Sequence, residues 1–385
     1  MTIDGEYLLR TLAELVQVNS VNPTLVPGGA GEAAIGAYVA ASLRALQLEV
    51  RTFEHGPGRI SVVGTLRGRG GGRSVMLNAH YDTVGVEGMG EPFSGAVRGG
   101  KLYGRGAYDM KGSLAASMAA VKALVDAGTP LGGDLLIAAV ADEEYGSLGT
   151  AGIIPHCKTD AAIVTEPTAL NICLAHKGYA WIEVETTGRA AHGSKFELGV
   201  DANMGMGRFL GELEKLERSL RARPPHPLLG PPSLHAALLS GGTGLSTYAA
   251  ACKLQIERRT IPGETEPQVV AEIREIAERL AAADPAFQAS VRCFFSRQPF
   301  EVARDAAIVR AVDRAATQVL RRAPACVGDT PWMDAALLAA AGVETVVIGP
   351  AGAGAHAAEE WVDVESVAQL AEILARAAAD YCEAR

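Results

Sequence analysis

Ser74-Val75-Met76-Leu77-Asn78-Ala79 is an apolar run of strand length that breaks off directly into His80-Tyr81-Asp82-Thr83-Val84. A strand that is apolar on both sides is one buried on both faces, as in a parallel sheet covered by helices. The pattern recurs twice: Asp134 to Ala141 ends in Asp142-Glu143-Glu144, and Ala161 to Val164 ends in Thr165-Glu166-Pro167. Leu48 to Thr52 and Ile60 to Leu66 also read as strands. Helical patterns alternate with them: Leu8, Leu9, Leu12, Leu15 and Val16 share one spacing, Glu32 to Leu46 carries another, and Met110 to Ala127 is a small-residue helix stopping at Gly128. This alternation predicts an α/β fold with a mainly parallel, mixed sheet. Ligands of such sheets gather at the carboxyl ends of the strands, which is where His80, Asp82, Glu143, Glu144 and Glu166 fall.

From Lys177 the pattern changes. Ala180 to Thr187 sets Trp181, Glu183 and Glu185 against Ile182 and Val184, the alternation of a half-exposed antiparallel strand. A helix (Ala202 to Leu220), two strands (Leu234 to Leu239, Ala251 to Arg258), a second helix (Pro267 to Ala282) and a strand (Gln288 to Phe294) follow. This βαββαβ order predicts an inserted, ferredoxin-like α+β domain over residues 177–295, with residues 1–176 and 296–385 forming a discontinuous main domain. The main domain resumes with a strand, Thr345 to Pro350, a Gly/Ala loop reaching His356, and a last helix from Val364 to Ala378.

The chain has 385 residues and a net charge of −9, so it has no general attraction to nucleic acid or anionic lipid. Its cysteines (157, 173, 252, 293, 326, 382) are scattered without a C-x-x-C pair, the usage of reduced thiols rather than of a disulfide framework. The acidic start and helically spaced leucines lack the apolar core of a signal peptide, and no apolar run reaches spanning length. The expectation is a soluble, cytoplasmic protein.

Gly104-Arg105-Gly106-Ala107-Tyr108-Asp109-Met110-Lys111-Gly112 precedes the small-residue helix, so Asp109 taken alone reads as an N-cap. Alone, too, His80 reads as a core histidine, Glu143 and Glu144 as a solvated loop, Glu166 as a strand end and His356 as a surface residue. Jointly they read otherwise, because carboxylates gathered at one sheet edge repel one another unless a cation neutralises them. Two histidines with several carboxylates suit Zn²⁺ or a similar borderline divalent ion, with Co²⁺ or Mn²⁺ as alternatives. The donors suffice for two ions sharing one carboxylate, a pair that polarises a carbonyl and supplies hydroxide at neutral pH. His80-x-Asp82 on a strand points both side chains to one face, so Asp82 can orient the imidazole. Of the adjacent Glu143 and Glu144, one can ligate while the other stays free as a general base.

Several stretches resemble the M20 metallopeptidase/deacylase family, which includes acetylornithine deacetylases, succinyl-diaminopimelate desuccinylases, aminoacylases and carboxypeptidases. They are Ala79–Val84, Gly104–Gly112, Asp142–Ser147, Thr165–Pro167 and His356–Glu360, with Gly188–Ser194 and Arg259–Gly263 in the insert. The resemblance spans nearly the whole chain. It implies a zinc-aminopeptidase-like catalytic domain carrying a lid and dimerisation domain. It implies two Zn²⁺ ions, one on His80, Asp109 and Glu166 and the other on Asp109, Glu144 and His356. Asp82 would support His80, and Glu143 would take a proton from the attacking water and pass it to the leaving amine. His192 would stabilise the oxyanion, in the family often across a dimer, and Arg259 would clasp a substrate carboxylate.

Two departures concern the insert. The segment Gly241–Ala249, with Ser246 and Thr247 as further substrate contacts, lacks the Asn near Ser246 and the Pro near Ala249 of many members; Phe196 stands where a Pro often follows. Both bear on substrate choice rather than on the ions. The reading is a homodimeric di-zinc amidohydrolase of N-acyl amino acids with a closing lid. The competing readings are a dipeptidase or carboxypeptidase of the same family and, more remotely, a non-catalytic metal-binding regulator.

Overall fold

The computed structural model describes residues 2–383. They form two compact units, one made of the residues up to Leu174, Val302–Val327 and those from Met333 onward, the other of Ala175–Glu301 with Gly328–Trp332.

The first unit is built on a mixed sheet in which six strands run, side by side, Glu49–Glu54, Ile60–Leu66, Leu135–Val140, Val75–His80, Ala161–Val164 and Glu344–Val347. The first two pairings are antiparallel, and the next three, across the sheet's centre, are parallel. Every residue of Val75–His80, Leu135–Val140 and Ala161–Val164 is buried, as their unbroken apolar patterns require. The parallel register sets His80 opposite Val140 and Asn78 opposite Val164. Three chains therefore leave the sheet at one edge, just where their sequences turn from apolar to acidic.

Helix Gly112–Asp126 is buried along nearly its whole length, because Ala, Ser and Gly let Gly5–Gln17 and Val364–Tyr381 pack closely against it. It starts two residues later than its composition predicts. Ala107–Lys111 is a wide irregular turn in which Asp109 and Met110 leave helical geometry, and Gly106, at φ 79°, supplies the left-handed residue that begins it. Asp109 is thus not the helix cap. A second, four-stranded sheet pairs Gly352–Ala353, Trp361–Asp363, Lys101–Tyr103 and Ala96–Arg98 in that order. Its pairing of Trp361 with Tyr103 brings the loop of His356 against the turn of Asp109.

The second unit has four antiparallel strands in the order Ser233–Gly241, Ala251–Thr260, Gly178–Thr187, Gln288–Arg297. With helices Ala202–Arg221 and Glu266–Ala283 this is the expected βαββαβ arrangement. Ala180, Ile182 and Val184 are buried with Phe209, Leu213, Ile273 and Ile276 of the helices, and Tyr179, Trp181, Glu183 and Glu185 occupy the other, half-buried face.

Candidate metal centre

Each donor is delivered by a feature of the first unit. His80 closes a central strand, and Glu166 follows the next. Glu143 and Glu144 follow Leu135–Val140, Asp109 sits in the irregular turn, and His356, at φ 61°, tops the loop between the short strands. Nε2 of His80 lies 3.1 Å from Asp109 Oδ1 and 3.6 Å from Glu166 Oε1. Nε2 of His356 lies 3.4 Å from Asp109 Oδ2 and 3.1 Å from Glu144 Oε2. His80, Asp109 and Glu166 thus form one group of convergent donors and Asp109, Glu144 and His356 another, with atoms within 4.8 Å of each other in each. Asp109 belongs to both, one oxygen facing each histidine.

Glu143 belongs to neither group, although its Oε2 comes within 3.9 Å of His80 Nε2. The Nδ1 of His80 is 3.0 Å from the Asp82 backbone carbonyl and 3.6 Å from the Asp82 carboxylate. Asp82 instead receives the backbone N–H groups of Glu143 and Glu144, at 3.1 and 3.3 Å.

The electrostatics test whether a cation fits. Burial is the largest influence on Glu143, Glu144 and Glu166 and pushes each carboxyl above its ordinary range, with neighbouring carboxylates adding to the rise. Burial also opposes charging of His80, but Glu166, Asp109, Glu143 and Asp82 outweigh it and hold its pKa well above the usual value. Hydrogen bonds to Asp109 and Glu144 raise His356 to about 10. Burial likewise disfavours ionised Asp109, but its bonds to His356 and His80 prevail and lower its pKa. Without a cation, the two histidines and the buried glutamates of the site favour their protonated forms. A site of imidazole and carboxylate donors fits a divalent ion of the zinc type.

Other residues around the centre carry no sign in the sequence of what they contact. The Glu360 carboxylate, 1% exposed, accepts from the backbone N–H groups of Gly106, Tyr108 and Asp109 and from the Arg105 guanidinium. Both residues lie inside stretches whose motif is visible, yet only the fold joins them. Asn22, Arg59 and Asp142 form a buried network behind Asp82. Asp334 accepts from Thr150 Oγ1 at 2.5 Å, and burial lifts its carboxyl to about 6.

The second unit carries the remaining expected residues. His192 forms a bridge with Thr247, Gly193 donates to the Ser246 carbonyl at 2.7 Å, and His192 Nδ1 lies 2.9 Å from Ser194 Oγ. His192, Ser246 and Thr247 thus share one exposed loop cluster. Arg259 lies on the strand Ala251–Thr260, paired with Glu257 and stacked 5.3 Å from the Tyr179 ring centre. Its neighbour Arg258 is wholly buried against Glu264.

Two groups of imidazole and carboxylate donors at the carboxyl edge of a mixed α/β sheet make a candidate metal site of the kind that metal-dependent hydrolases carry. The chain belongs to peptidase family M20/M25/M40, whose model matches residues 76–380, and is a metallo-hydrolase acting on amide bonds. It is 31% identical over 337 residues to an acetylornithine deacetylase of Myxococcus xanthus, covering 85% of each chain. It is 28% identical to the N-formyl-4-amino-5-aminomethyl-2-methylpyrimidine deformylase of Bacillus subtilis, over 91% of this chain and 90% of that one. The fold is similar to aminopeptidase PepT of Bacillus cereus, with a TM-score of 0.81, 21% identity and coverage of 99% and 100%. It is also similar to a dinuclear metal-binding M20 peptidase of Bacillus subtilis, with a TM-score of 0.77, 16% identity and coverage of 99% of both chains. Among the described residues, no helix is long and apolar enough to cross a membrane.

Proposed function

We propose that this hydrolase removes the acyl group from N-acyl amino acids, as an acetylornithine deacetylase does, with two Zn²⁺ ions as its cofactors. The observation that carries the reading is the division of labour at the centre. Five residues form two donor groups through Asp109, and one further carboxylate, Glu143, is left over beside them. The likeness to the Myxococcus xanthus deacetylase supports the deacylase over a dipeptidase or carboxypeptidase.

His80, Asp109 and Glu166 would hold one ion, and Asp109, Glu144 and His356 the other; Co²⁺ or Mn²⁺ suits the same donors. Such a pair supplies Lewis acidity that polarises the amide carbonyl and makes water acidic. Glu143 takes the proton of the attacking water on its carboxylate and returns it to the leaving nitrogen, so that the amine departs neutral. His192 donates to the oxygen of the attacked carbonyl, while Ser246 and Thr247 of the same loop contact the substrate. Arg259 binds the substrate carboxylate through its planar fork.

Residues 177–295 serve as a lid and as the surface of a homodimer. Support comes from the large apolar side chains that this unit exposes, among them Phe196, Leu238, Leu239 and Leu245. The acidic chain and scattered free cysteines support a cytoplasmic setting.

The deciding experiment is amine release from N-acetyl, N-formyl and N-succinyl amino acids and from dipeptides, with added Zn²⁺ or Co²⁺ and with a chelator. Chelator-sensitive release from one acyl class is the expected result. Turnover confined to dipeptides would replace the deacylase reading with the peptidase one. Light scattering of the purified chain tests the dimer.

A further inference from the structure

Asn22 is a wholly buried amide placed between two carboxylates. Its Nδ2 donates to Asp82 Oδ2 at 2.8 Å and to Asp142 Oδ1 at 3.0 Å, while its Oδ1 accepts the Thr24 N–H at 2.9 Å. The amide orientation is fixed by chemistry, since a flipped group would turn its oxygen toward both carboxylates. Its backbone is held as firmly: Asn22 N–H donates to the Thr83 carbonyl at 2.8 Å and Thr83 N–H to the Ser20 carbonyl at 3.1 Å. The segment Ser20–Asn22 therefore runs beside Tyr81–Thr83.

Both carboxylates that Asn22 joins hold the turn of Glu143 and Glu144. Asp82 takes the two N–H groups of those residues on its two oxygens. Asp142, left-handed at φ 68°, receives the Gly146 N–H on its carbonyl and the Leu148 N–H on Oδ2. Arg59 braces it from behind, donating to Asp142, to both oxygens of Glu32 and to Thr24 Oγ1. Side by side, Asp82 and Asp142 would repel and open the turn, whereas one side chain with two N–H donors ties them together. Ser and Thr offer one donor, Asp offers none when ionised, and Gln is a methylene too long.

We infer that Asn22 is a positioning residue of the hydrolytic centre: it sets the distance between Asp82 and Asp142 and thereby fixes where Glu143 and Glu144 stand. Its side-chain partners, Asp82, Asp142 and Thr24, belong to neither donor group. The inference rests on the proposed reading of Glu144 as a ligand and Glu143 as the base.

The test is Asn22→Ala and the isosteric Asn22→Asp, each read for kcat, KM, Zn²⁺ dissociation constant and melting temperature. Outer residues of this kind are worth about 10- to 100-fold in activity or metal affinity. The expected result is a loss of that size in kcat per metal-loaded site and a matching rise in the Zn²⁺ dissociation constant, with KM within about threefold of the parent. A folded variant with parental kcat and Zn²⁺ affinity but a lower melting temperature would overturn the inference, leaving Asn22 a structural residue. The Zn²⁺ titration needs no substrate, so it stands even if the parent hydrolyses none of the acyl panel. If neither variant folds, the milder Asn22→Ser, which keeps one of the two donors, is read for the same quantities: a weaker Zn²⁺ affinity at parental KM upholds the inference, and parental kcat and Zn²⁺ affinity overturn it.

Discussion

The Glu360 carboxylate accepts the backbone N–H of Asp109 at 3.0 Å, so the residue shared by both donor groups is fixed through its own main chain. The same carboxylate is the counter-charge of Arg105, 2.7 Å away and 3% exposed. Glu360→Gln would turn one oxygen into a donor facing these N–H groups and leave a buried guanidinium without its anion. Breaking such a pair costs about 3–5 kcal/mol. We expect a lower denaturant midpoint and weaker metal binding together; parental values for both would show that Glu360 is dispensable.

On the proposed function, Glu143→Gln removes only the group that would move the proton. Metal stoichiometry should stay at the parental value while kcat falls about 10²- to 10⁴-fold, the usual worth of a positioned base. Metal analysis and steady-state kinetics on one preparation check this, and substantial retained turnover would take Glu143 out of the reaction.

Loading the metal-free protein should release protons. His356 is held protonated up to about 10 by Asp109 and Glu144, and carboxyls of Glu144 and Glu166 are raised by burial. A cation binds the deprotonated donors, so below about 10 it must displace protons, and affinity rises with pH, about tenfold per unit for each proton released. Titration calorimetry of the chelator-stripped protein near neutral pH, in buffers of different ionisation heat, reads the number directly. Buffer-independent heats would mean that the donors are already free.

Arg259→Lys keeps the charge and loses the planar fork. Hydrogen bonds to charged groups are worth about 1.5–3 kcal/mol each, so KM for a carboxylate-bearing substrate should rise about tenfold or more with a smaller change in kcat. An unchanged KM would assign Arg259 to its pairing with Glu257 and Tyr179.

The sheet and its polar edge were legible because both are local in sequence. Val75–His80, Leu135–Val140 and Ala161–Val164 are apolar on both faces and change character within one residue at their ends. The βαββαβ unit was legible by its alternation, as in Gly178–Thr187. The small sheet of Ala96–Arg98, Lys101–Tyr103, Gly352–Ala353 and Trp361–Asp363 was not, because two or three residues are too short to display a period. That sheet is what brings Glu360 to Asp109, so the contact that holds the irregular turn before helix Gly112–Asp126 was hidden with it. Asn22 and Arg59 stand in loops as isolated polar residues, indistinguishable in sequence from solvated ones. Their meaning comes from partners many residues away.

The two donor groups differ in when their members are made. Synthesis runs from the amino terminus and units fold as they emerge, so His80, Asp109 and Glu166 leave the ribosome before the whole of Ala175–Glu301, and His356 after it. A growing chain thus carries the makings of one ion site long before the other, and Asp109 has only one histidine to face until the last loop is added. On the proposed reading, the second donor group is completed only when the loop of His356 emerges, so the paired site cannot form on a partly made chain.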